Sequence, residues 1–137
     1  MRNQTISTPG LANVRVSDCM HPGVLTCGAD DALQDVAAIM ANHRVHAVVI
    51  TNPDADRAVG VVSDMDIVAA VAAGAHCSAR EAGATETLTV AAGETVLTAA
   101  QLMSEHGVSH LVVVDGAGSY PVGILSTLDV ATVLAGS

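Results

Sequence analysis

The sequence predicts an α+β protein made of two β-α-β-β-α repeats, packed sheet to sheet about a pseudo-twofold axis. GVVSDMDIV at residues 60–68 returns as GILSTLDVA at 123–131, 63 positions further on. The same shift, without a gap, carries Leu25-Thr26 onto Leu88-Thr89, Met40 onto Met103, His43 onto His106 and Val59-Gly60 onto Val122-Gly123. Self-similarity at one fixed period marks a duplicated structural unit. Within each copy the apolar spacing changes from helical to strand-like, which sets the element order.

The elements follow in turn. Val24-Leu25-Thr26 reads as a short strand. Asp30-Asp31 opens a helix, as does Gly93-Glu94 in the second copy, the acids suiting the positive end of the helix dipole. Leu33, Val36, Ala37, Ile39 and Met40 are spaced as the stripe of a half-buried helix, and so are Val96, Ala99, Ala100, Leu102 and Met103. Gly107 ends the second of these helices in the left-handed region. Residues 45–50 and 108–114 are near-continuous runs rich in β-branched residues, hence buried strands. Residues 52–54 and 115–118 carry turn chemistry, and 59–62 and 122–125 return as hairpin partners. Residues 64–73 and 127–134 read as helices, stopped by Gly74 and Gly136. Residues 1–13 then form a tail, 14–77 the first repeat and 78–137 the second. One unit of this size buries its apolar face poorly alone. A pair solves that problem and leaves a cleft with two equivalent sites.

Composition narrows the function. Half the residues are hydrophobic, yet there is no Trp, no Phe and one Tyr. Pocket walls are therefore aliphatic, and stacking of nucleic-acid bases on rings is nearly excluded. Five arginines and no lysine stand against 14 acids, for a net charge of −9. Such a surface repels a phosphate backbone or an anionic bilayer, so neither nucleic acid nor membrane is an expected partner. The longest apolar run, residues 67–75, is too short to span a bilayer. Residues 1–10 have no signal-peptide core. Three cysteines without CxxC spacing suit a reducing compartment, so the expected location is cytoplasmic.

Ser63-x-x-Asp66 and Ser126-x-x-Asp129 each stand where a buried strand meets a helix. Two readings stay open. One is a capping box, with Ser as N-cap and the acid returning a hydrogen bond, worth about 1 kcal/mol. The other is a ligand site built from the same groups. Helix N–H groups favour phosphate, and a carboxylate one turn on can accept ribose hydroxyls. Gly60 and Gly123 let another group approach their strands closely.

The repeat resembles the cystathionine-β-synthase (CBS) domain pair, or Bateman module. The resemblance rests on V-G-h-h-S-x-x-D-h near each repeat end, V-H-A-V-V-I at 45–50 and V-S-H-L-V-V-V-D at 108–115. The stripes ending at Met40 and Met103 add to it, as does Val16-Ser17-Asp18-Cys19-Met20, similar to the family's opening V-x-D-x-M. It covers roughly residues 14–135. What it implies is a stand-alone, non-enzymatic regulatory module with no required cofactor. Such a module binds AMP, ADP, ATP or S-adenosylmethionine between the repeats and signals as a homodimer or through an effector protein. By the same resemblance, Asp66 and Asp129 take ribose, and Ser63 and Ser126 take phosphate, with Thr127, His46, Ser109 and His110 close by. The base lies against His21, Gly23 and Val24 for the Asp129 site, and against Ala84, Thr85 and Thr87 for the Asp66 site. Asp64 opposes a phosphate where Thr127 adds a donor, so the Asp129 site ranks first. The scarcity of cations favours an AMP-like ligand.

Other features are assigned as follows. Ile67, Val68, Val71, Val130, Val133 and Leu134 supply the dimer face. Met20, Met40, Met65 and Met103 fill the core. His43 and His106 suit helix C-terminal ends, and Arg44 is either solvated or phosphate-facing. The family opener decays to Ala79-Arg80-Glu81-Ala82-Gly83 in the second copy. That decay keeps a ligand-free interaction scaffold as the alternative. A metal- or redox-responsive module using Cys19, Cys27 and the histidines is a further one.

Overall fold

The computed structural model describes residues 9–52, 57–83, 88–115 and 120–136. Two short helices, α1 (Pro9–Asn13) and α2 (Val16–Cys19), lead to a two-residue strand, β1 (His21–Pro22). The first repeat follows as β2 (Thr26–Gly28), α3 (Leu33–His43), β3 (Ala47–Asn52), β4 (Arg57–Ser63) and α4 (Asp64–Ala72). The second runs α5 (Ala79–Ala82), β5 (Thr89–Ala91), α6 (Val96–His106), β6 (His110–Val114), β7 (Pro121–Ser126) and α7 (Thr127–Ala135). This is the expected mixed α+β architecture of two like repeats.

The 63-residue shift holds in the hydrogen-bond register. Cys27 pairs in parallel with Ile50, as Val90 does with Val113. The antiparallel hairpins slip after Ile50 and after Val113 alike. Each repeat is thus a parallel β-α-β crossover closed by one hairpin strand.

Three aliphatic layers hold the molecule together. Leu33, Val36 and Met40 of α3 pack on Val48, Ile50 and Val62 of the first sheet. Ala99 and Met103 of α6 pack on Leu111, Val113 and Leu125 of the second. Between the sheets lie Val49, Val112 and Val114, with Val24, Val61 and Ile124 against them. Strands β3 and β6 are covered on both faces, which is why their sequences read as unbroken apolar runs.

The leading segment crosses over. Strand β1 pairs antiparallel with β7, His21 opposite Ile124 and Pro22 opposite Gly123. The sheets are therefore β1-β7-β6-β5 and β2-β3-β4. Val16 is buried in the second repeat's core with Cys19 and Met20 beside it, while Ala79 and Ala82 pack into the first. Each core is closed by the segment that precedes the other repeat.

Several boundaries differ from the expectation, each for a local reason. The Val49 N–H donates to the Leu25 carbonyl at 2.9 Å, so the parallel ladder starts there and β2 lies later than Val24-Leu25-Thr26. Asp31 accepts the Gly28 N–H at 2.9 Å and makes a turn, so α3 opens after Ala32 and not at Asp30. Thr95 caps α6 by accepting the Thr98 N–H at 3.2 Å, ahead of which Gly93-Glu94 stay outside the helix. Gly107 ends α6 with φ 63°, as expected. Gly136 caps α7 but with right-handed φ, −87°. Met65 is two-thirds exposed, so it does not fill the core. No helix among the described residues is long and apolar enough to cross a membrane.

Candidate functional site

Both Ser-x-x-Asp motifs fold as complete capping boxes. Ser63 Oγ accepts the Asp66 N–H and Asp66 Oδ2 accepts the Ser63 N–H at 2.8 Å. Ser126 and Asp129 repeat this, with Ser126 Oγ also donating to Asp129 Oδ2 at 3.1 Å. The capping role is therefore real. It leaves Asp66 Oδ1 and Asp129 Oδ1 without protein partners among the described residues.

The two helix ends are unequal. The first helical N–H is taken in both copies by the neighbouring strand: Asp64 N–H donates to the His46 carbonyl, and Thr127 N–H to the Ser109 carbonyl. At the second position Met65 N–H donates to Asp64 Oδ1 at 2.8 Å. Its counterpart, Leu128 N–H, has no partner among the described residues. The end of α4 is thus closed by its own carboxylate, while α7 keeps a free donor for an anion.

Asp64 also holds His46, whose Nδ1 lies 2.9 Å from its Oδ2. That hydrogen bond lowers the Asp64 pKa below the usual carboxylate range. His46 is thereby drawn to Asp64.

Beside the second helix end, the repeats enclose a cleft of about 470 Å³. One wall is the chain from His21 to Leu25, a second is His43 to Ala47, and Ile124, Ser126 and His110 complete it. The expected base-contacting residues His21, Gly23 and Val24, and the expected phosphate-side residues His46, His110 and Ser126, line this one space. Asp129 is buried just behind it, with His21 Nδ1 3.4 Å from its Oδ2. Thr127 is exposed at the head of α7. Ser109 does not line the cleft, but its hydroxyl is 3.0 Å from Nδ1 of His110, which does. Ser63 and Asp66 belong to the opposite helix end and do not line this cleft. Ala84, Thr85 and Thr87 lie outside the described residues.

Gly123 shows what approaches its strand. A Cβ there would stand 2.6 Å from the His21 carbonyl oxygen and 2.6 Å from Met20 Sδ. The group is the chain's own β1, so this glycine seats the segment that lines the cleft. The sequence allows Arg44 to face either solvent or phosphate. It caps α3 in the left-handed region, φ 55°, and lies on the cleft wall. The equivalence of Arg44 with Gly107 could have signalled that backbone conformation.

His110 is partly buried, and burial pushes its pKa below the ordinary histidine value. Asp64, Asp129 and Asp66 pull it upward, while His46 adds to the depression. Its imidazole enters the cleft as a hydrogen-bonding group rather than a fixed charge.

Cys19 and Cys27 do not converge. Cys19 packs with the second core and Cys27 is buried in the first. Burial raises both thiols, Cys27 to about 11, with Asp31 adding to that effect. Both are thus protonated thiols near neutral pH. Among the described residues no group of three or more His, Cys, Asp or Glu is placed to hold a metal ion.

The CBS domain family model matches the chain twice, over residues 16–73 and 79–136. The chain belongs to the CBS domain family and carries a tandem pair. Among solved structures it resembles a CBS domain protein of Pyrobaculum aerophilum complexed with AMP. The two are 30% identical, with TM-score 0.78, over 90% of this chain and all of that one. The CBS domain pair of protein MJ0100, in complex with 5′-methylthioadenosine and S-adenosyl-L-methionine, is 24% identical with TM-score 0.82, covering 90% of this chain and 97% of that one. Hypoxic Response Protein I, with two coordinated zinc ions, is 27% identical with TM-score 0.71, covering 87% and 98%. No curated protein matches the chain by sequence.

Proposed function

We propose that this CBS pair is a regulatory module that binds an adenosine-containing ligand, AMP-like, in the cleft beside Asp129, and passes the signal through dimer or partner contacts. The observation that carries this is the convergence of His21, Gly23, Val24, Ser126 and His110 on one space between the repeats. The free Leu128 N–H meets the phosphate at the head of α7, and the Ser126 hydroxyl joins it by turning its proton away from Asp129 Oδ2. Asp129, with Oδ1 unpartnered, takes the ribose hydroxyls when the exposed His21 side chain swings off it. The backbone of Gly23 and Val24 gives the base an edge and an aliphatic face. That a 30% identical CBS protein was solved with AMP supports the same choice.

The head of α4 is the weaker site. Asp64 fills its free donor position, and Gly83 stands where the other copy has Met20. One ligand per chain is the expected stoichiometry. AMP at 100 times its dissociation constant adds about 2.7 kcal/mol of stability, which a thermal melt resolves easily. A melting curve unmoved by millimolar AMP, ADP, ATP and S-adenosylmethionine would leave the ligand-free scaffold as the function.

The output surface is the outer face of α4 and α7. Met65, Val68 and Val71 on α4, with Leu128 and Leu134 on α7, are exposed. Ile67 and Val130, expected on that face, turn inward onto the cores. Two aliphatic stripes on so small a module need cover. A dimer at micromolar concentration is expected by light scattering, and Val71→Glu with Leu128→Glu should give a monomer.

A further inference from the structure

We propose that Arg44, entering the cleft from the repeat opposite Ser126, makes this cleft select a phosphate ester over a neutral or cationic adenosine compound. This rests on the cleft being the adenosine site.

The first support is charge. Arg15 donates to the Gly93 carbonyl at 3.2 Å, and Arg80 pairs with Asp30 at 3.4 Å. The Arg44 guanidinium has neither a hydrogen bond nor an ion pair among the described residues, its backbone N–H alone being used, on the Met40 carbonyl. In a chain of net charge −9 without lysine, an arginine with no acid beside it is notable. This one lies on the cleft wall.

The second support is the backbone. Arg44 is the one non-glycine residue with positive φ among those described. Its equivalent, Gly107, makes the same helix cap without a Cβ. Glycine suits that conformation better. Arginine therefore weakens the cap, and what it adds is a guanidinium.

The third is the neighbourhood. His46 is held by Asp64, and His110 is a half-buried imidazole bonded to Ser109. Neither offers the cleft a permanent positive charge, whereas a guanidinium is charged at every relevant pH. Its forked donors match a phosphate in two places at once. The sulfonium of S-adenosylmethionine would meet the same group as like charge. The opposite helix end would receive Gly107 instead, and so no cation.

Calorimetric titration of the unaltered protein, Arg44→Gly and Arg44→Lys with AMP, adenosine and S-adenosylmethionine tests this. AMP is expected to bind the unaltered protein at least about tenfold more tightly than adenosine, the scale of a charge-assisted hydrogen bond. Arg44→Gly should cut that preference several-fold, the α7 end keeping its own share, with adenosine affinity unchanged, and Arg44→Lys should recover part of it. The ligand-free Arg44→Gly protein should melt no lower than the unaltered one, because glycine fits the cap. An unchanged AMP-to-adenosine ratio in Arg44→Gly overturns the role of Arg44 and leaves the adenosine site standing. Failure of all three ligands to bind the unaltered protein overturns the site itself, and this role with it.

Discussion

Gly123→Ala is expected to melt about 10 °C below the unaltered protein and to lose AMP binding. The added Cβ would lie 2.6 Å from the His21 carbonyl oxygen and from Met20 Sδ. The methionine can turn away, but the carbonyl cannot. It belongs to β1, which pairs with β7 at His21–Ile124 and Pro22–Gly123. Relieving the contact means lifting β1 from the sheet edge. Overpacking of this kind costs about 3 kcal/mol, and for a chain of this size that is roughly 10 °C. Binding falls with stability because His21, Gly23 and Val24 all hang on β1. Gly93→Ala is the matched control. A Cβ there meets nothing within 4 Å, so its melt should move by no more than about 1 °C. Equal melting of the two variants would show that β1 does not dock on β7 in solution.

That one glycine also marks how far the sequence could be read. The duplication was legible because it is gapless, and β3 and β6 because burial on both faces demands unbroken apolar residues. The capping boxes were legible because Ser and Asp must stand three apart. The exchange of leading segments was not. Strand β1 is two residues long and α2 and α5 are four each, too short to carry a period. Gly60 and Gly123 pointed to close neighbours, without naming them. The acids at 30–31 looked like a helix start because acids favour that end, yet Asp31 is spent on the Gly28 N–H. The contact of His46 with Asp64 spans 18 positions and no local pattern encodes it. Met65 looked like core because methionine is apolar. It sits second in its helix, where the capping box turns the side chain outward to solvent.

Asp129→Ala should weaken AMP binding at least about a hundredfold, and Asp66→Ala by no more than about threefold. Each substitution removes the acid of a capping box worth about 1 kcal/mol, and Asp129→Ala also loses the Ser126 hydroxyl bond and the His21 contact. A melt of each ligand-free variant reads that difference separately, and binding is compared where both are folded. A ribose presents two hydroxyls to the carboxylate, and hydrogen bonds to a charged group contribute about 1.5–3 kcal/mol each. Loss of both exceeds the 2.7 kcal/mol that corresponds to a hundredfold. At the other helix end Asp64 closes the donor position through Met65 N–H and, with its pKa lowered by His46, stays ionised. A phosphate about 4 Å away would meet about 4 kcal/mol of repulsion at an effective dielectric of 20. The bonded His46 offsets that only when it is protonated. The free Leu128 N–H is at the Asp129 helix end, and Arg44 lines the cleft that Ser126 lines and that Ser63 and Asp66 do not. Calorimetry with AMP on both variants reads the difference directly. Equal losses, or two equivalent sites per chain in the unaltered protein, would show that the helix ends are matched and that Asp64 does not close its own.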